Sequence, residues 1–253
     1  MSFLDRVHVE KEAEVAALLE DPPSLSADLP AIRSLSRALS SPQVSAIAEI
    51  KRSSPTRGPI RPDLDPIDIA CSYEKSGAAA ISVLTDKPHF GGSLQDIRDI
   101  RSRVSIPLLR KDFLIHPVQI EESRAAGADA ILLIVAMLDD PTLHSMLQHC
   151  TKLGMEALVE VHTENELHRA IDSPATIIGI NNRNLQSLEI DLSNGEGLLP
   201  QCPSDRIRVA ESGIFVREDV HRMTQAGADA ILVGSSLMLA DSPAQGLESL
   251  LCG

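Results

Sequence analysis

Charged side chains recur at the ends of short apolar runs in this sequence. Glu49 and Lys51 close SAIAEIK, Lys111 lies in IPLLRKDF and Glu160 in EALVEVH, while Glu211 and Ser212 end IRVAES. Asn181 ends TIIGIN, with Arg183 two residues on. In an extended chain, side chains alternate between faces. Glu49 and Lys51 therefore share one side, and Ala48 and Ile50 the other. Ammonium and carboxylate groups in one dry space shift each other's pKa, which suits them to general acid and base work. A single buried Glu–Lys pair is most simply structural. Burying charge is costly unless it is paired, so two lysines, three glutamates and an arginine drawn from several strands make a poor core. Together they make a good reaction site.

Two further strand ends carry small polar residues. ESGI (211–214) offers Ser212 and Gly213, and VGSS (233–236) offers Gly234 and Ser235. Backbone N–H groups at such places can cradle a phosphate, although permissive turns have the same composition. Lys111 has a second possible chemistry, because a lysine in a low-dielectric site can lose its proton and form a Schiff base. His89, His116 and His162 lie at no metal-ligand spacing, and HTENELH is not HExxH, so they are expected at the surface or at loop ends. The loop RSSPTRGPIRP is long for a strand-to-helix turn. It is expected to lie over the site as a lid, with Arg52, Arg57 and Arg61 above it.

The elements that must position these groups repeat along the chain. Eight apolar runs are expected as strands: 45–51, 79–85, 106–113, 129–136, 156–162, 176–181, 207–212 and 229–234. Between them lie helix-period segments such as HPVQIEESRAAG, DDPTLHSMLQHCTKLG, TENELHRAID and REDVHRMTQAG. Asp139 and Thr163 are expected N-caps, and PDLDP (62–66) is expected to cap the helix after it. AGADAIL occurs at 126–132 and again at 226–232, with SGAAAIS (76–82) a weaker echo, which argues for a repeated unit. Alternating strands and helices imply an α/β fold, a closed (β/α)8 TIM barrel whose polar residues gather at the C-terminal strand ends. An open doubly wound sheet would carry a glycine-rich phosphate loop after its first strand, and no GxGxxG stands there. Before the barrel, residues 4–20 form an amphipathic helix with Leu4, Val7, Val15, Leu18 and Leu19 on one side. DPPSLSADLP breaks it, and a short helix follows around 32–39. The expected division is an N-terminal helical extension, 1–43, and a barrel catalytic domain, 44–253.

Composition bounds the partners. A length of 253 residues is normal for one α/β barrel, and 43% hydrophobic residues supply a large core. A net charge of −13 argues against a nucleic acid or an anionic membrane as partner. No apolar run has membrane-spanning length, and the charged N-terminus is neither a signal nor a transit peptide. Cys71, Cys150, Cys202 and Cys252 form no CxxC pair and are expected as reduced thiols in a cytoplasmic protein.

Seven segments carry a resemblance. In order, AEIKRSSPTRG, ISVLTDKPHFGGS, LLRKDF, ALVEVH, IIGINNRNL, VAESGI and ILVGSSLM are similar to signature segments of the indole-3-glycerol phosphate synthase family, from about Val44 to Leu239. The resemblance implies closure of a carboxyphenylamino-deoxyribulose phosphate into an indole with loss of CO2 and water, and neither cofactor nor metal. It implies Lys111 as general acid, Glu160 as the carboxylate of ring closure and dehydration, and Glu49 with Lys51 as the dehydration pair. Asn181 and Glu211 would position these groups. Ser54 and Arg183 would contact the substrate, Arg183 at its carboxylate, and Phe90 and Phe113 would wall its ring. Lys51, Ser212, Gly213, Gly234 and Ser235 would hold its phosphate. His89 stands where the family commonly has an aromatic, and IRSLSRAL lacks a phenylalanine often found there, so the ring pocket and N-terminal packing should differ in detail. With no second barrel after Gly253, the likeness is to the monofunctional form. The expected state is a monomer, or at most a weak dimer, whose partner is a small phosphorylated molecule. The rivals are a sugar-phosphate isomerase, a Schiff-base aldolase using Lys111, and a catalytically dead barrel kept as a binding module. None of Glu49, Lys51, Lys111 or Glu160 is missing, as a dead barrel would require.

Overall fold

Short runs rich in Val, Ile and Leu, polar only at their ends, are suited to strands buried on both faces. In the computed structural model, which describes residues 2–26, 28–185 and 187–251, eight such strands form a closed parallel barrel. They are, first to eighth, Ser45–Ile50, Ala80–Leu84, Leu108–Lys111, Ala130–Ile134, Glu156–Val161, Ile177–Asn181, Ile207–Glu211 and Ala230–Val233. Each pairs with its sequence neighbours, and Ser45 opposite Ala230 closes the ring. The (β/α)8 architecture matches the expected one. Strand limits differ by one or two residues, most at the third, where Pro107 precedes the ladder and Asp112 and Phe113 have left it. Asp65, Asp139 and Thr163 cap their helices as expected, Thr163 through a reciprocal bond with Glu166.

The AGADAIL repeat has a physical reason beyond its turn. Gly127 and Gly227 end their helices at φ +95° and +106°, where a side chain would be strained. The aspartates that follow reach back to the start of the preceding barrel strand. Asp129 accepts from the Leu108 N–H at 2.8 Å, and Asp229 from the Arg208 N–H at 2.9 Å. Arg101 pairs with Asp129, and Arg208 forks onto Asp229. Each repeat thus staples one strand's origin to the next unit at the closed end of the barrel.

Two N-terminal helices precede the barrel: α1 (Phe3–Glu20), capped reciprocally by Ser2 and Asp5, and α2 (Leu35–Leu39). The buried stripe of α1 is Leu4, Val7, Lys11 and Val15, while Leu19 is 53% exposed. The expected stripe therefore needs correction. Leu19 lies one position too far round the helix, and a lysine takes a core position. Lys11 is only 2% exposed, and its Nζ lies 2.9 Å from each of Glu14, Asp86 and Asp112. Burial opposes its charge, but Asp112, Glu14 and Asp86 outweigh that and hold the ammonium well above its usual range. Asp112 also accepts from Arg110 at 3.0 Å and Thr85 at 2.5 Å. Burial would raise the Asp112 carboxyl, yet Arg110 and Lys11 hold it at about 2. Among the described residues, no helix is long and apolar enough to cross a membrane.

Lys11→Met keeps the packing and removes the charge, leaving Asp86 and Asp112 buried with one cation fewer. Unfolding in urea should show a loss of about 3–5 kcal/mol, the scale of a broken buried ion pair. A loss below about 1 kcal/mol would mean that α1 docks through its apolar stripe alone.

Candidate active site

The C-terminal strand ends open into one cleft. Its wall includes Glu49, Lys51, Lys111, Glu160, Asn181 and Glu211, with Leu84, Leu132, Ile134 and Leu232 among its apolar members. The third, fifth, sixth and seventh strands meet at Lys111. Its Nζ donates to Glu160 Oε2 at 3.1 Å and to Glu211 Oε2 at 2.5 Å. Asn181 donates to the other oxygen of Glu160 at 2.9 Å, fixing that carboxylate's plane. Burial disfavours the Lys111 ammonium, but Glu211, Glu160 and Glu49 together hold it far above its usual range. Glu211 moves the other way. Burial raises its carboxyl to about 8, Lys111 opposing and the neighbouring carboxylates adding to the rise. Its Oε1 is buried with no partner among the described residues.

The first and eighth strands supply a second pair. Lys51 Nζ donates to Glu49 Oε1 at 2.7 Å and to Ser235 Oγ at 3.2 Å. The one tyrosine, Tyr73, is buried and donates to the Glu49 carbonyl at 3.2 Å, bracing the end of that strand. Beside Lys51, the seventh strand turns sharply, with Ser212 at φ +63° and Gly213 at φ +80°. Left-handed backbone is uncommon for serine. Asn182 supports it by donating to the Ser212 carbonyl at 3.1 Å while accepting from the Gly195 N–H at 2.8 Å. Ser212, Gly213, Gly234 and Ser235 all line the cleft, as does Ser236, whose hydroxyl is buried without a partner among the described residues.

The opposite wall is aromatic. Phe113 lies 6.2 Å from Phe90 and 6.1 Å from Phe3 of α1, and His89 packs edge-on to Phe3 at 5.2 Å. His89 thus fills an aromatic place and adds a 2.8 Å contact to Glu10. His116 caps a helix, and His162 meets the Asn181 carbonyl at 2.7 Å. Cys71, Cys150 and Cys202 are free, while Cys252 lies outside the described residues. No group of three or more His, Cys, Asp or Glu among the described residues is disposed to hold a metal ion.

The loop after the first strand folds into a small hairpin, Ser53 opposite Pro59, and presents Ser54, Pro55 and Thr56 to the cleft. Two of its arginines do not lie over the mouth, contrary to expectation. Arg52 forks onto Asp96, and Arg61 binds the Met238 carbonyl at 2.8 Å together with that of Ala240. Both anchor the loop because buried acceptors lie within their reach. Arg57 stays exposed near the tip. Arg183 is half-buried, donates to the Leu188 carbonyl at 3.0 Å and lines the cleft. Burial and Arg57 lower its pKa, and Glu49 opposes.

Every residue expected at the site therefore lines this one cleft. Sequence reasoning passed over Phe3, Ser236 and Asn182. Ser236 sits beside Ser235 in VGSS and could have been found. The others act across long sequence separations that no local spacing records.

A family model described as indole-3-glycerol phosphate synthase matches residues 4–250. Curated relatives include the indole-3-glycerol phosphate synthase of Mycolicibacterium gilvum, 44% identical over 98% of this chain and 92% of its own length. A Dehalococcoides mccartyi relative of the same name is 51% identical over 83% of this chain and 82% of its own length. Among solved structures, a 3-hexulose-6-phosphate synthase superposes with a TM-score of 0.63 at 14% identity, covering 82% of this chain and 98% of that one. That likeness shows the barrel fold alone.

The raised Glu211 carboxyl has a pH consequence. Between about 4.5 and about 8 the folded protein keeps this proton and the unfolded chain loses it, so this group's contribution to stability falls as pH rises. Glu211→Gln cannot titrate and escapes the fall. The Tm of the variant minus that of the parent should therefore be larger at pH 8 than at pH 5. An equal difference at both pH values would mean that the carboxyl titrates normally.

Proposed function

We infer the division of labour at the mouth from one premise: the chain belongs to the indole-3-glycerol phosphate synthase family. It is a carboxy-lyase that converts 1-(2-carboxyphenylamino)-1-deoxyribulose 5-phosphate into indole-3-glycerol phosphate, CO2 and water. A ring carbon attacks the ketone, the ketone oxygen takes a proton, and CO2 leaves with its bonding electrons returned to the ring. Loss of water then completes the indole.

Lys111 is the acid that protonates the ketone oxygen. The observation that carries this reading is its contact with both Glu160 and Glu211, which hold it charged until the proton is needed. A lysine so held suits an acid better than a Schiff-base amine. Glu160, oriented by Asn181, is the carboxylate that serves ring closure and dehydration. Glu49 and Lys51 divide the proton transfers of dehydration. Ser212, Gly213, Gly234 and Ser235 hold the phosphate with help from Lys51, and the unpartnered Ser236 hydroxyl is available to it. Arg183 and Ser54 meet the substrate's polar groups, Arg183 its carboxylate. Phe90 and Phe113 wall its aromatic ring. The working unit is the barrel, 44–253, served by the 1–43 extension through Phe3 and Lys11. A cytoplasmic setting suits the free thiols.

The test uses the substrate and the fluorescence of the indole product, against a chain that has no tryptophan. The parent should produce a rising signal. Lys111→Ala should lower kcat by about 10²–10⁴-fold with substrate binding retained. Turnover near the parental rate in that variant would remove Lys111 from the role of acid.

A further inference from the structure

Two carboxylates of the mouth occupy space that a side chain on the neighbouring strand would fill. A Cβ built on Gly179 of the sixth strand would lie 2.1 Å from Glu211 Oε1 and 3.2 Å from its Cδ. A Cβ on Gly234 would lie 2.2 Å from Glu49 Oε1 and 2.9 Å from its Cβ. Neither glycine has positive φ, so neither is required by its backbone. What each permits is the close approach of a carboxylate from the adjacent strand.

We propose that Gly179 is a positioning residue for the reaction, the seat that lets Glu211 lie against the sixth strand and reach Lys111, with Gly234 doing the same for Glu49. The proposal rests on Glu211 and Lys111 acting together in turnover. Glu211 is 1% exposed, and its Oε1 has no hydrogen-bond partner among the described residues. Its place is therefore set by packing on that side and by Lys111 on the other. The remaining close neighbour of the built Cβ, Leu158 Cδ1 at 3.2 Å, is the end of a flexible side chain that can give. Glu211 cannot give in the same way without lengthening its 2.5 Å contact to Lys111. Gly234 also lines the region proposed for the phosphate, so Gly179 is the cleaner position to test.

The experiment is a pair of mutant cycles. Gly179→Ala should lower kcat by about 10²-fold, the scale of a misplaced catalytic group, with KM within about threefold of the parent. It should also lower Tm by roughly 5 °C. In a Glu211→Ala background the obstacle is gone, and the same Gly179→Ala change should cost almost no Tm. If the single variant fails to fold, a folded Gly179→Ala/Glu211→Ala double variant carries the same support. Adding Glu211→Asp, shorter by one methylene, to Gly179→Ala should recover part of the lost kcat. Parental kcat in Gly179→Ala would overturn the proposal, and so would an equal Tm loss in both backgrounds. The thermal cycle reads the seat whatever Glu211→Ala does to turnover, so failure of the seat and failure of the role given to Glu211 are told apart.

Discussion

A charge taken out of water must be paired, and the open end of this barrel is organised by that constraint. Lys111 is held by Glu160 and Glu211, and Lys51 by Glu49. Three carboxylates thus face two ammonium groups and the half-buried Arg183. The balance is not fixed. Burial raises the Glu211 carboxyl against the pull of Lys111, so a proton taken up there would shift the mouth toward positive charge. The cations are thus gathered at the mouth of a protein of net charge −13, where a substrate bearing a phosphate and a carboxylate can meet them.

The same constraint ties the N-terminal extension to the site. Lys11 enters between Asp86 and Asp112, the residue after Lys111, while Asp86 caps the short helix that carries Phe90. Docking α1 therefore brings Phe3 to the aromatic wall and braces both neighbours of that wall. Because Asp112 is shared by Lys11 and Arg110, the position of α1 is coupled through one carboxylate to the strand that presents Lys111.

What could be known from the sequence divides along a physical line. Strands and the inward sense of Glu49, Lys111 and Glu160 were legible because alternation and apolar runs are local properties. The barrel followed, and with it the gathering of these groups at one end. The fate of Arg52 and Arg61 was not legible. A long guanidinium reaches whichever acceptor the fold brings near, here Asp96 and the end of a helix 177 residues away. Lys11 was missed for a related reason. Its buried counter-ions, Asp86 and Asp112, come from two loops remote in sequence, and helical periodicity assigns a lysine to solvent. The aspartates of AGADAIL were visible as a repeat, but their bonds to preceding strands exist only once the sheet is formed.

The two ends of the barrel meet their polar groups differently, and the difference bears on function. At the closed end, Asp129 and Asp229 saturate themselves with backbone N–H groups and arginines. At the open end, Glu211 Oε1 and Ser236 Oγ are buried without partners among the described residues. Each such atom costs about 1–3 kcal/mol in a folded chain. The space over Gly179 is taken by the Glu211 carboxyl, so a methyl group could fill it only if Glu211 were absent. With that space open, the Glu211 carboxyl lies against the sixth strand and within reach of Lys111. Ser236 likewise keeps a buried hydroxyl without a partner among the described residues at the cleft wall. Among the described residues Arg101 Nε is likewise unpartnered at the closed end, so incomplete pairing is not confined to the mouth; what sets Glu211 apart is that its unpaired oxygen lies against Gly179 while the other holds Lys111.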